Sequence, residues 1–176
     1  NTMKILKLSL ASIAVSTALF AGTYNVDASH TNAGFTVKHM MITNVTGKFN
    51  DISGAFEFDE KTNTLKLING EIVAASIDTA NEKRDEHLKS EELFGVEKFP
   101  KITFKSTKIE KNKVYGELTM KGVTKAVTLD LETSGVITDP WGKQRTGFSL
   151  NGKIKRTDFG ISWNKALETG GVAVSD

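Results

Sequence analysis

The sequence predicts an all-β protein: one antiparallel sandwich or barrel of about eight strands. Three observations predict it. Apolar and polar residues alternate with period two through most of the chain. Turn signals separate the alternating runs at intervals of roughly 10–15 residues, as in antiparallel sheet. A chain of 176 residues with 15 glycines and 2 prolines has room for many strands and turns, and its length suits one domain.

The runs follow in order. Phe35, Val37, His39 and Met41 share one face of a first strand, with Thr36 and Lys38 opposite. Ala55-Phe56-Glu57-Phe58-Asp59 alternates apolar with acidic residues, and Ile72–Ile77 is a further apolar segment. Ile102 and Phe104 alternate with Thr103 and Lys105. Val114, Gly116, Leu118 and Met120 alternate with Tyr115, Glu117 and Thr119. Val127, Leu129 and Leu131 follow, then Phe148, Leu150 and Ile154 with Gly152 between them. Turns are expected at Asp51–Gly54, Asn69-Gly70, Lys111–Lys113, Lys121-Gly122 and Asp139–Gly142.

One segment departs from alternation. Thr79–Phe94 is rich in charge and helix formers around Leu88 and predicts a mostly solvated helix near residues 79–92. Asp78 or Thr79 would cap its start, and the helix would cross one mouth of the sheet structure.

The first residues belong to export rather than to the fold. Asn1 and Thr2, ahead of Met3, read as an extraneous remnant. Lys4 and Lys7 precede the uncharged run Leu8–Phe20, and small residues follow at Ala21-Gly22-Thr23. This order is that of a signal peptide, too short to cross a ~30 Å bilayer core comfortably. Cleavage after Ala21 would put Leu19 where a small residue is preferred. Residues 1–21 are thus expected to be remnant plus signal, and 22–176 a single domain in the periplasm, with no stable transmembrane segment after cleavage.

Charge and composition exclude several function classes. Lys+Arg is 23 and Asp+Glu 21, and the excess of +2 is carried by Lys4 and Lys7. A neutral mature chain offers no electrostatic footprint for nucleic acid. With no cysteine there is no disulfide framework, thiolate metal site or cysteine nucleophile. The histidines, His30, His39 and His87, lack the close spacing of a zinc-binding helix, and no nucleophile elbow, phosphate loop or calcium loop occurs. No catalytic residue and no metal ligand is therefore assigned.

Phenylalanine dominates the aromatic residues, with 10 against 2 Trp and 2 Tyr. A barrel of about eight strands is either filled by its side chains or holds one slim ligand. Gly116 and Gly152, on apolar strand faces, would leave space along such an interior. That space would suit a long apolar chain, each buried CH2 contributing about 0.8 kcal/mol.

Several stretches carry a resemblance. They are Asp27–Thr31 with Phe35, Val37–Met40, Val45–Phe49, Gly54–Asp59, Arg84–Ser90 running on through Phe94 to Lys98–Phe104, Gly116–Lys125, Gly147-Phe148 and Asp158–Ile161. The sequence resembles the YceI-like family of exported bacterial proteins over nearly all of the chain after the signal. The resemblance implies an extended lipocalin-like antiparallel β-barrel with a helix at one side and a long apolar tunnel. It also implies a non-covalently held polyisoprenoid, isoprenoid quinone or fatty-acid amide, with no other cofactor. The tunnel wall would comprise Phe35, Val37, His39, Met41, Phe49, Phe56, Phe58, Ile72, Ile102, Phe104, Leu118, Met120, Leu129, Leu131, Phe148 and Ile154. His39 is the wall residue able to hydrogen-bond a polar head group. Relatives continue beyond Val172–Asp176 into a closing strand. A barrel lacking it would have an open edge that invites pairing with a second copy as a homodimer.

The leading expectation is an exported carrier of a long-chain isoprenoid or similar amphiphile. The alternatives are a structural or stress-response interaction module without lipid, and an enzyme acting on a lipid head group through a polar cluster at the mouth that includes His30 or His87.

Overall fold

A computed structural model describes residues 21–25, 31, 33–39, 43–59, 61–62, 64–142 and 144–161. Met41, His30, the signal segment before Ala21 and the expected missing last strand lie outside them. The described residues form ten strands: β1 Ala21–Asn25, β2 Ala33–His39, β3 Thr43–Phe49, β4 Ile52–Asp59, β5 Thr64–Val73, β6 Ile77–Asp78, β7 Lys101–Glu110, β8 Lys113–Met120, β9 Val123–Thr138 and β10 Gln144–Asn151. One helix, α1 (Glu82–Lys89), stands between β6 and β7.

Seven strands make the main sheet, in the order β1-β4-β5-β7-β8-β9-β10, with every pair antiparallel. β2, β3 and β6 form a smaller sheet, joined through Lys48 opposite Asp78 and Phe49 opposite Ile77. The main sheet is strongly curled. A flat sheet with strands ~4.8 Å apart would hold β4 and β10 roughly 24 Å apart. Instead the rings of Phe56 on β4 and Phe148 on β10 meet edge to face, with centroids 4.9 Å apart. Both inner faces therefore close on one apolar interior, and the fold is all-β and lipocalin-like.

The strand phases follow the alternation. On β8, Val114, Gly116 and Met120 are buried while Lys113, Tyr115 and Glu117 are exposed. On β4, Phe56 and Phe58 are buried and Glu57 between them is exposed. The turns after Glu110, Met120 and Thr138 fall where expected. Left-handed backbone at Lys111, Lys121, Gly122 and Gly142 tightens them.

Three expectations are corrected. Asn69-Gly70 is no turn but the middle of β5, with Gly70 opposite Gly54 on β4 and Phe104 on β7. Pairing with β4 on one side and β7 on the other overrides the local turn signal. Likewise Gly54 lies within β4, the turn there being confined to residues 50–51. Ile72–Ile77 is not one strand. A 3-10 turn at Ala74–Ser76 breaks it, where the Ser76 hydroxyl donates to Val73 O and accepts from the Asp51 amide.

The helix is shorter than expected and starts later. Ala80 adopts a left-handed conformation (φ 60°), which no helix accommodates. Asn81, rather than Asp78 or Thr79, caps α1, its side chain accepting from the Arg84 amide. At the other end Ser90 turns extended, and its hydroxyl donates to His87 O.

Candidate functional site

The interior is built of two clusters. Tyr24 of β1, Phe56 and Phe58 of β4, Leu65 and Ile68 of β5, Val114 of β8 and Leu131 of β9 form the first, with Phe104, Phe148 and Leu150 packed against it. Tyr24 is fully buried and stacks on Phe56, ring centroids 5.0 Å apart. The second cluster lies on the helix side. It joins Phe49, Ala74, Ile77, Leu93, Ile102, Met120, Phe159 and Ile161, with Phe35, Ile72, Leu88, Phe94 and Leu118 against it. Phe104 and Leu118, directly opposite each other on β7 and β8, link the two clusters.

The expected wall residues mostly meet here. Phe49, Phe56, Phe58, Ile102, Met120 and Leu131 are buried. Phe35, Ile72, Phe104, Leu118 and Phe148 are part-buried against the clusters. Val37 and Leu129 are half-buried, and His39 closes the β2–β3 pairing opposite Thr43. Ile154 does not belong to the wall. β10 ends at Asn151, so alternation no longer governs position 154, and Ile154 is 39% exposed.

The glycines do not leave the space expected of them. A Cβ on Gly116 would lie 2.6 Å from Cζ of Phe104, whose ring already occupies that room. At Gly152 a Cβ would lie 2.5 Å from Cδ2 of Leu129. Gly47 carries the Phe35 ring in the same way, Phe35 being its direct cross-strand partner. In each case a side chain from an adjoining strand folds over the glycine and fills the gap.

Tyr24, Leu65, Ile68 and Val114 are core residues that the wall assignment omitted. Leu65 and Ile68 escaped because β5 carries an extra residue, Lys66, opposite the Glu57–Phe58 step of β4, so residues three apart on β5 face the same side. Val114 already stood on the apolar face of its run, which was the available signal.

The helix side carries a polar knot. Thr79 is buried at 5% exposure. Its amide and hydroxyl both donate to Oδ1 of Asp85, at 2.9 and 2.5 Å. Arg84 donates from Nε to the Thr79 hydroxyl at 2.8 Å and from its terminal nitrogen to Thr79 O at 2.7 Å. Asp78 completes the turn, its carboxylate accepting from the Ala80 amide and from Asn50. Those two hydrogen bonds favour the ionised form and lower the Asp78 pKa below its usual 3.8. The knot fastens α1 to β6 and so to the small sheet. Arg84 and Asp85 are thus not part of a solvated charge run, although nothing in the linear charge pattern marks them.

The other charged residues lie outside the interior. His87 contacts Glu92 at 3.2 Å on the exposed side of α1. Lys113 pairs with Asp130 on the outer face, which raises the lysine pKa above its usual 10.5. Among the described residues no group of three or more His, Asp or Glu is placed to hold a metal. Nor is any helix among them long and apolar enough to cross a membrane.

The comparisons agree with this architecture. The model of the YceI-like domain matches residues 24–176. A UPF0312 protein of Staphylococcus aureus (strain N315) is 42% identical over 150 residues, covering 85% of this chain and 88% of the relative. The crystal structure of a Campylobacter jejuni YceI protein is similar with a TM-score of 0.65 and 43% identity, over 77% of this chain and 82% of that one. Burkholderia cenocepacia BcnA shares the fold at a TM-score of 0.65 and 23% identity, over 78% and 86% of the two chains. With its domain matched from Tyr24 to the last residue, the chain belongs to the YceI-like family.

Proposed function

We propose that this protein is an exported carrier that holds a long-chain isoprenoid or related amphiphile, non-covalently, within the curled sheet. The observation that supports it most is the continuity of the apolar inner face. That face runs from Tyr24 and Val114 to Phe49 and Met120 without an intervening charge, through the Phe104–Leu118 pair. An apolar tail laid along it gains about 0.8 kcal/mol per buried CH2, before the costs of ordering it and of displacing side chains. No covalent step enters this reading, which makes the protein a binding protein rather than an enzyme. Export through residues 1–21 would place it in the periplasm.

The test is solvent extraction of the protein purified from a bacterial host, followed by mass spectrometry. One apolar molecule per chain is the expected result. Folded, monodisperse protein that yields none, even after incubation with a polyprenol, would overturn the reading. A mature chain beginning at Gly22 in the periplasmic fraction is the expected sign of export.

A second reading has one observation in its favour. The rooms beside Gly116 and Gly152 are already filled by Phe104 and Leu129. A filled interior suits a structural or stress-response interaction module, which predicts failure of the extraction and a partner held on the outer surface.

A further inference from the structure

We infer that the tip of the β9–β10 hairpin is a bilayer-docking element, with Trp141 and Ile137 inserting among lipid head groups and upper acyl chains. This rests on the carrier reading for its purpose, since such a protein must meet a membrane to collect or deliver its cargo. Its chemistry rests on the hairpin alone.

β8 pairs with β9 only as far as Lys113 opposite Asp130. β9 then continues to Thr138, past the end of β8, still paired with β10 up to Gln144 opposite Thr138. At and beside the turn stand two of the most exposed large apolar residues described: Trp141 at 80% and Ile137 at 63% exposure. The turn that presents Trp141 is fixed. The Trp141 amide donates to Oδ1 of Asp139 at 2.9 Å. Arg145 donates from Nε to Oδ2 of the same carboxylate at 2.8 Å, and the Gly142 amide donates to Asp139 O at 3.0 Å. Asp139, with its side chain only 6% exposed, is thereby neutralised beneath the turn. The remaining charge in the connecting sequence is Lys143, compatible with lipid phosphates.

Trp141 and Ile137 together make this polar-flanked tip apolar, and exposed apolar surface of that kind marks partner or membrane sites. A protein partner would need a patch of about 800 Å² per side, more than a hairpin tip supplies. A bilayer interface needs no complementary pocket. It accepts an indole ring, apolar in body and polar at its N–H, beside one aliphatic side chain. Geometry and composition thus favour a lipid surface.

The test adds the full chain to unilamellar vesicles of phosphatidylcholine, with and without phosphatidylglycerol. Emission is compared between wild type and W141F, so the difference spectrum reports Trp141 without altering Trp163. A blue shift of that difference on adding vesicles is expected. Vesicle co-sedimentation should fall roughly tenfold in W141A and further in I137S/W141A, in proportion to the apolar surface removed. All variants keep residues 1–20, so any contribution from Leu8–Phe20 is common to them. An unshifted difference spectrum overturns the inference, as does equal sedimentation of the folded variants. So does a difference already blue-shifted before vesicles are added, which would mean that a second copy covers the tip. Protein that carries extractable lipid yet shows no shift overturns docking alone. Protein that shifts but carries no lipid supports docking and overturns the carrier reading alone.

Discussion

Truncating Asp85 to alanine should loosen the helix-side end of the fold by a calculable amount. Oδ1 of Asp85 accepts from both the amide and the hydroxyl of Thr79. Thr79 is 5% exposed, so water does not replace the lost acceptor freely. Hydrogen bonds to a charged group contribute about 1.5–3 kcal/mol each, and an orphaned buried donor costs about 1–3 kcal/mol. Because both bonds share one oxygen they are not fully additive, and about 3 kcal/mol is expected for Asp85→Ala. For a domain of this size that lowers Tm by roughly 6–12 °C. Asp85→Asn keeps an oxygen in place without its charge and should cost about half as much. Thr79→Val removes the hydroxyl at nearly constant shape. In a double-mutant cycle with Asp85→Ala it should show coupling of about 1 kcal/mol or more. Urea denaturation at neutral pH reads the free energies. Hydrogen exchange should show amides of α1 opening earlier than those of β8. An Asp85→Ala loss below about 1 kcal/mol, or an additive cycle, would refute the knot as the fastener of α1.

Other outcomes follow from the same contacts. Gly47→Ala pushes a methyl into the Phe35 ring, with Cε1 2.7 Å away, and into Cγ2 of Thr79 at 2.9 Å. It should destabilise by about 1–3 kcal/mol, with part of that loss recovered when Phe35→Leu is added, as denaturation of the single and double variants will show. Phe56→Ala empties a buried position that touches both Tyr24 and Phe148 and should cost about 3–5 kcal/mol, whereas exposed Ile154→Ser should change stability by less than about 0.5 kcal/mol. The lowered Asp78 pKa means that the folded state binds its proton more weakly than the unfolded chain. Its stabilising contribution is therefore present above the usual value of 3.8 and lost as pH falls through the lower folded value, so the stability gap between wild type and Asp78→Asn should shrink on acidification. The raised Lys113 pKa works in the opposite direction. Its contribution is present below the usual 10.5 and lost as pH rises through the higher folded value, which a Lys113→Met comparison in alkaline denaturation measures.

Much of the fold was legible because one face of each strand is buried and the other is wet. That contrast fixed the phase of β4, β7 and β8, and with it the inward set Phe56, Phe58, Ile102, Leu118 and Met120. Phase was lost where the ladder itself is irregular. The bulge beside Phe58 hid Leu65 and Ile68, and the end of β10 at Asn151 released Ile154 from the pattern. Asn69-Gly70 misled because a short-range turn preference was outweighed by pairing on both sides of β5. The Thr79–Arg84–Asp85 knot left no signal in the charge pattern or the alternation. It depends on the left-handed turn at Ala80, which folds the start of the helix back on the strand before it.

The most consequential difference concerns glycine and phenylalanine, which the sequence presents as separate features. Counted separately, phenylalanines are walls and glycines are gaps. In the sheet they are neighbours: Phe35 stands directly opposite Gly47, and Phe104, opposite Leu118, reaches diagonally over Gly116. A strand glycine without a cross-strand ring would expose backbone and lose packing, so the pair is a stable unit of sheet structure. A ring seated on a glycine also differs from one wedged among branched side chains. It can be replaced there by another slim apolar group, because the glycine offers no Cβ in the way. For a carrier, the room beside Gly116 would then be shared in turn by the Phe104 ring and a segment of ligand. Phe104→Ala should strengthen polyprenol binding by removing the competitor, while Gly116→Ala, whose methyl meets the ring and the Lys105 carbonyl oxygen, should weaken it. Binding of a fluorescent polyprenol analogue to the folded variants checks both signs. Equal affinity in all three proteins would mean that this part of the interior is only core.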